Sequence, residues 1–228
     1  MQQYFTDQPL HAGETIELSD EILYHLKKVL RKDSSYLFRI CDSEGRIFLS
    51  HLTEGKNCLI GEILDENNEL DCRITCILSL IRNEKMEFCI QKLTELGVSR
   101  IVPYQASRSV VKAKDSKKIE RFRRIAREAA EQCHRNRIPE ISDVIGLKQI
   151  GRYLSRHNYI CYESEKRMQD IECDESITYV IGPEGGFEET EYETFVKAGF
   201  ESVSLGKRIL RAETAAIYVT CLVVGKSQ

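Results

Sequence analysis

Between residues 36 and 64 apolar and polar side chains alternate in three short runs, Tyr36-Leu37-Phe38-Arg39-Ile40, Arg46-Ile47-Phe48-Leu49 and Cys58-Leu59-Ile60-Gly61-Glu62-Ile63-Leu64. A period of two is that of a strand with one buried face, and the breaks at Asp42-Ser43-Glu44-Gly45 and Glu54-Gly55-Lys56-Asn57 supply turns. The pattern predicts a small antiparallel barrel or sheet. One helix precedes these runs: Ser19-Asp20 can cap a segment in which Ile22, Leu23, Leu26, Val29 and Leu30 share a face. The polar, aperiodic stretch Asp65-Glu66-Asn67-Asn68-Glu69 marks the expected boundary between a domain of residues 1–70 and one of 71–228.

Beyond the boundary, strands alternate with longer helices. Residues 73–81 form a β-rich run, and Met86, Cys89, Ile90, Leu93 and Leu96 then keep helical spacing up to a stop at Gly97. Ile101-Val102-Pro103-Tyr104 reads as the next strand. A helix follows whose stripe is Ile119, Phe122, Ile125, Ala126, Ala129, Ala130 and Cys133, with Lys117, Arg121, Arg124 and Glu128 outside it. Tyr159-Ile160-Cys161-Tyr162, Thr178-Tyr179-Val180-Ile181 and Ser202-Val203-Ser204-Leu205 read as further strands, with helices over about 188–198 and 213–224. Strands joined by crossover helices imply a mainly parallel α/β sheet, with ligands at the carboxyl ends of its strands.

Charge sharpens this picture. The formal net charge is −3, yet residues 107–138 carry eleven basic residues, Lys114 among them, against Asp115, Glu120, Glu128 and Glu131, a local +7 that leaves the remainder at −10. A basic stripe on an acidic protein is the footprint of a polyanion-binding surface. The same stripe also reads as a solvated helix face. The nine cysteines are scattered without a CxxC pair, and no metal site is expected: Cys72 and Cys76 come nearest to a ligand spacing, and reduced core thiols are the expectation for all nine. The start, Met1-Gln2-Gln3-Tyr4-Phe5-Thr6-Asp7, lacks a basic-then-apolar pattern, and no segment approaches the roughly 18 apolar residues of a membrane span, so a cytoplasmic protein with no membrane association is expected.

Two glycine-bearing loops sit where the carboxyl-end rule looks for a site, Gly182-Pro183-Glu184-Gly185-Gly186-Phe187 and Leu205-Gly206-Lys207-Arg208-Ile209-Leu210-Arg211. The first has neither the Lys-Ser/Thr of a phosphate loop nor GxGxxG spacing, and Glu184 repels phosphate. That disfavours ATP and NAD and suits a cationic ligand such as S-adenosylmethionine. Taken alone, such a loop is more often a tight turn than a site.

Several stretches resemble the ribosomal RNA uridine N3-methyltransferases (RsmE type) of the SPOUT class. They are Lys85-Met86 with 87–97, Arg108-Ser109-Val110-Val111-Lys112, Glu128-Ala129-Ala130-Glu131-Gln132, Arg135-Asn136-Arg137-Ile138-Pro139, 181–187 and 205–215, with weaker likeness at His25 and Val29-Leu30-Arg31. The resemblance implies a PUA-like, RNA-binding barrel and then a parallel α/β domain whose last segment threads a trefoil knot. It further implies a homodimer, S-adenosylmethionine as cofactor, and as substrate a uridine of small-subunit (16S) ribosomal RNA, naked or in the assembled subunit. By similarity Gly182, Pro183, Glu184, Gly185, Gly186, Leu205, Gly206, Ile209, Leu210, Arg211, Thr214 and Ala215 contact the methyl donor. The chain departs from the family at Gln3, where many relatives have Arg, and at Arg82-Asn83, where they have Lys-Gly; Asn tolerates a left-handed turn, so the second change is expected to be absorbed structurally.

Methylating N3 requires loss of the imide proton, favoured by a cation beside the base oxygens and a proton acceptor. Arg211 is the expected cation, and Glu213 or Glu184 the carboxylate that accepts the proton or holds the cofactor, although Glu213 equally suits a helix amino terminus. Arg31, Arg108, Lys112, Arg121, Arg124, Arg135 and Arg137 are the expected RNA contacts. Two other readings remain: a SPOUT enzyme methylating ribose or a different base, and a non-catalytic RNA-binding protein.

Overall fold

In the computed structural model, which describes residues 1–112, 116–162 and 171–226, chain contacts fall into two units: Met1–Glu69 with Ala130–Arg137, and Leu70–Ala129 with Ile138–Gln228. Lys114 and Asp115 of the basic segment lie outside the described residues.

The first unit holds β1 (Gln3–Phe5), β2 (Thr15–Glu17), α1 (Asp20–Tyr24), β3 (Leu37–Cys41), β4 (Ile47–Leu52) and β5 (Asn57–Leu64). The three alternating runs are β3, β4 and β5, paired antiparallel in succession, and β2 joins β5 antiparallel. β1 joins β3 in parallel, so the sheet is mixed where an all-antiparallel one was expected. Phe38, Ile40, Phe48, Leu52 and Ile60 point inward and pack with Leu23 and Leu26. Ser19 caps α1, its hydroxyl accepting from the Ile22 amide at 3.3 Å. The helix then widens into a π-helical turn over His25–Val29, and this turn rotates Val29 off the apolar face. Val29 is 54 % exposed, against the buried position that α-helical spacing predicts.

The second unit is a six-stranded parallel sheet of β6 (Arg73–Ser79), β7 (Arg100–Tyr104), β8 (Glu140–Ile141), β9 (His157–Cys161), β10 (Ser176–Ile181) and β11 (Glu201–Val203), in the order β11-β9-β10-β6-β7-β8. Its helices are α2 (Asn83–Glu95), α3 (Ser116–Gln132), α4 (Glu189–Lys197) and α5 (Ala212–Val224), with a 3-10 helix at Leu147–Tyr153. Strand alternation divides the core. Ile74, Cys76, Leu78, Tyr179 and Ile181 cluster with apolar residues of α2, α3 and α5, while Ile77, Val102, Ile160 and Val180 cluster with Phe195 of α4 and Ile150 of the 3-10 helix. Asn83 makes no left-handed turn: it is the first residue of α2, and Arg82 ahead of it is extended at φ −53° and ψ 142°. Among the described residues no helix is long and apolar enough to cross a membrane.

Two findings overturn readings of single residues. The expectation of nine reduced thiols fails at Cys72 and Cys173, which form a disulfide across 101 positions, while the other seven cysteines are in no disulfide. The first unit also takes back the end of α3. His134 adopts φ 61° and the Arg135 amide donates to the Ala130 carbonyl at 3.0 Å, a Schellman reversal that turns the chain. Arg135 is consequently 3 % exposed and makes a two-pronged pair with Glu69, Nη2 to Oε2 at 2.6 Å and Nε to Oε1 at 3.2 Å. Its carbonyl accepts from the side-chain amide of fully buried Gln3 at 2.7 Å, and Gln3 Oε1 accepts from Arg39 at 3.1 Å. Arg135 is therefore a structural ion pair and not an RNA contact, and Gln3 faces inward. Because Glu69 also accepts from the amides of Asn136 and Arg137, replacing it removes both their acceptor and the carboxylate that faces a buried guanidinium. Glu69→Ala is expected to cost about 3–5 kcal/mol, read as a lower urea midpoint of the full chain.

Candidate active site

Strands β9, β10 and β11 end side by side, and the segments leaving them enclose a cleft of about 270 Å³. Its wall is built from Cys161-Tyr162, most of the loop 181–187 and the whole of 204–212. The turn out of β10 closes because residue 182 has no side chain: a Cβ there would lie 2.9 Å from the Phe187 ring, which sits 5 % exposed in the α4 cluster. In the second loop Gly206 has φ +110°, and a Cβ built on it meets nothing within 4 Å. The backbone there is left-handed and its bare edge is open to a ligand.

Buried Glu191 at the start of α4 holds the first loop's surroundings. Its Oε1 accepts from the Tyr104 hydroxyl at 2.6 Å and the Ser107 amide at 2.9 Å, and its Oε2 from the Glu188 amide at 3.1 Å. Burial, followed by the bond to Glu191, pushes the Tyr104 hydroxyl far above its ordinary range, so it stays a donor. The segment so anchored carries Arg108, whose Nη1 reaches the Gly185 carbonyl at 3.3 Å.

The charges are arranged unevenly. Lys85 of α2 stands 3.2 Å from Glu213 and 3.9 Å from Glu184, tying the first loop to the first turn of α5. Glu213 Oε2 is buried and has no hydrogen-bond partner among the described residues. Arg211, the N-cap residue of α5, is exposed, and its side chain makes no ion pair or hydrogen bond with a described residue, as is true of Lys207 and Arg208. Burial pushes the Cys161 thiol up to about 12, so it is a neutral wall and not a nucleophile.

Of the residues expected at the cofactor, Gly182, Pro183, Glu184, Gly186, Leu205, Gly206, Ile209, Leu210, Arg211 and Ala215 line the cleft together. Gly185 and Thr214 do not line it: Gly185 turns to Arg108, and Thr214 is exposed on α5. Tyr162 was missed, although it directly follows β9 where the carboxyl-end rule points; its ring stacks on Tyr192 of α4 at 4.3 Å. The bridging role of Lys85 left no mark in the sequence, since it depends on three separate segments meeting.

The expected RNA contacts separate by environment. Arg121 pairs with Glu87 at 2.7 Å and Arg124 lies 3.9 Å from Glu128, both side chains more than half exposed. Lys112 is exposed in the second unit, as are Arg31 and Arg137 in the first. Arg135 alone of the set is buried.

A family model for the RNA methyltransferase domain matches residues 68–224. The chain is 34 % identical to ribosomal RNA small subunit methyltransferase E of Bacillus subtilis, over 96 % of this chain and 94 % of that protein. It is 33 % identical to the protein of that name from Mesomycoplasma hyopneumoniae, over 89 % and 90 %. Its fold matches the crystal structure of ribosomal RNA small subunit methyltransferase E from Neisseria gonorrhoeae bound to S-adenosyl methionine with a TM-score of 0.90, at 32 % identity over 97 % of this chain and 95 % of that one. Since the match takes in the parallel sheet, both cleft loops and the whole of α5, this chain belongs to the RNA methyltransferase domain family.

Proposed function

We propose that this protein transfers a methyl group from S-adenosylmethionine to N3 of a uridine in 16S ribosomal RNA. The observation that carries the reading is the cleft at the ends of β9, β10 and β11, in a chain whose relatives are named small-subunit ribosomal RNA methyltransferases. The residues present fit the cofactor. Ile181, Leu205, Leu210 and Ala215 offer apolar walls to a flat base, Gly206 leaves its backbone edge open, and Glu184 is a carboxylate for a cationic ligand. When bound, the cofactor supplies an electrophilic methyl group on a sulfonium.

The chain's own residues do the rest. Arg211 brings to the cleft a guanidinium unpaired among the described residues, where it stabilises the negative charge that spreads over the uracil oxygens as N3 loses its proton. Glu213, next to cleft-lining Ala212 and oriented by Lys85, is the carboxylate to take that proton, its Oε2 buried and unpartnered among the described residues. Arg31, Arg108, Lys112, Arg121, Arg124 and Arg137 hold the RNA by its phosphates. The first unit serves as a PUA-like RNA-binding domain, supported by its curled five-stranded sheet. A trefoil knot is supported by the path of the chain: from β11, outside β9, it passes through 204–211 to set α5 against β10 and α2. Two subunits meet on α5, whose buried side is core while Tyr218 and Leu222 remain exposed. The protein works in the cytoplasm, beside its substrate.

Nucleosides from ribosomal RNA of cells lacking this gene are expected to have lost 3-methyluridine by mass spectrometry. Its persistence would refute the assignment, and loss of a different modified nucleoside would move the enzyme to another SPOUT reaction. Arg211→Ala is expected to slow single-turnover methylation about 100-fold with saturating cofactor, on the scale of one lost oxyanion donor; near-normal turnover would remove Arg211 from the mechanism. Replacing Arg121 and Arg124 together by Ala should lower the slope of log affinity for RNA against log salt, and an unchanged slope would return α3 to a solvated face.

A further inference from the structure

The cleft's acids and bases are compensated differently. Glu184 and Glu213 share Lys85, whereas Lys207, Arg208 and Arg211 are exposed and unpaired among the described residues. Some exposed cations elsewhere in this unit find acids, Arg100 with Glu140 and Arg121 with Glu87 at 2.7 Å and Arg156 with Asp174 at 3.0 Å, and those that find none among the described residues, such as Arg82 and Lys148, stand apart from this cleft's wall. Three uncompensated cations within five positions, all lining one cleft, call for an anion supplied from outside.

We propose that Lys207 and Arg208 grip the sugar-phosphate backbone of a single RNA strand on either side of the target uridine, leaving Arg211 to face the base. The inference rests on the methyltransferase reading and assigns the substrate-gripping residues of that site. Its basis is the side chain between the cations as much as the charge. Ile209 is 82 % exposed, a bare apolar surface flanked by Arg208 and, two positions on, by Arg211. An apolar side chain beside phosphate-binding cations suits an unstacked base with its phosphates alongside. Base pairing hides N3 of uridine, so the strand must be unpaired where it enters, and a cleft of about 270 Å³ excludes a duplex. The other available anion is the carboxylate of the cofactor, but a single carboxylate would leave two of the three cations uncompensated.

The test is fluorescence anisotropy of a labelled single-stranded uridine-containing RNA across a salt series, for the wild type, for Lys207→Ala with Arg208→Ala, and for the charge-retaining pair Lys207→Arg with Arg208→Lys. The alanine pair is expected to bind RNA at least tenfold more weakly in low salt and to flatten the log–log slope by about 1.4, at about 0.7 per phosphate contact. Its S-adenosylmethionine affinity by calorimetry should stay within about twofold, which also reports an intact fold, and the charge-retaining pair should recover the slope. An unchanged slope in the alanine pair overturns the proposal. So does a loss of cofactor affinity with RNA binding intact, which would give the cations to the cofactor's carboxylate. Because no turnover is needed, a wild type that methylates no uridine would sink the reading above while leaving this measurement decisive.

Discussion

The cleft depends on one buried polar contact, the 2.6 Å hydrogen bond between the hydroxyls of Tyr179 on β10 and Thr220 on α5. Both hydroxyls also reach the Ala216 carbonyl, Thr220 at 2.8 Å and Tyr179 at 3.4 Å, so the three groups form one closed hydrogen-bonded set. Burial pushes the Tyr179 hydroxyl far above its usual range and keeps it protonated. A hydroxyl left alone at that depth costs about 1–3 kcal/mol, so α5 has one favourable seat on the sheet. Ala212, Ala215, Ala216, Val219 and Val223 complete the seat with small and β-branched contacts in the main cluster. The amino end of the helix then lies at the carboxyl ends of the strands, which brings Arg211 and Ala215 to the wall formed by the first loop.

From that docking follows the separation of charge. Glu213 enters the first turn of α5, where the helix dipole favours an acid, and meets Lys85 from the first turn of α2. Arg211, two residues earlier and outside the helix, meets no acid among the described residues. Lys85 takes the carboxylate, and the arginine stays exposed on the cleft wall.

What the sequence revealed depended on how local each feature is. The alternating runs became β3 to β5 and the 3.6-residue stripes became α2 to α5, because periodicity records which side of an element is buried. The two glycine loops were legible for the same reason: steep turns after strands demand particular residues in consecutive positions. Val29 was misplaced because a π-helical turn changes the period in mid-helix. Arg135 was misplaced because a run of arginines does not show which of them a reversal at His134 will bury against Glu69. The parallel pairing of β1 with β3, the Cys72–Cys173 disulfide and the Lys85 bridge each join positions far apart in the chain, and no local pattern records such meetings.

Transfer of a methyl group to N3 of uridine in this cleft is tested most directly by incubating the purified protein with isotopically labelled S-adenosylmethionine and purified small ribosomal subunits, then identifying the labelled nucleoside. Label is expected in 3-methyluridine, at a single uridine of the 16S RNA. Label in a ribose methyl or another base, or none from a protein that binds the cofactor, would contradict it.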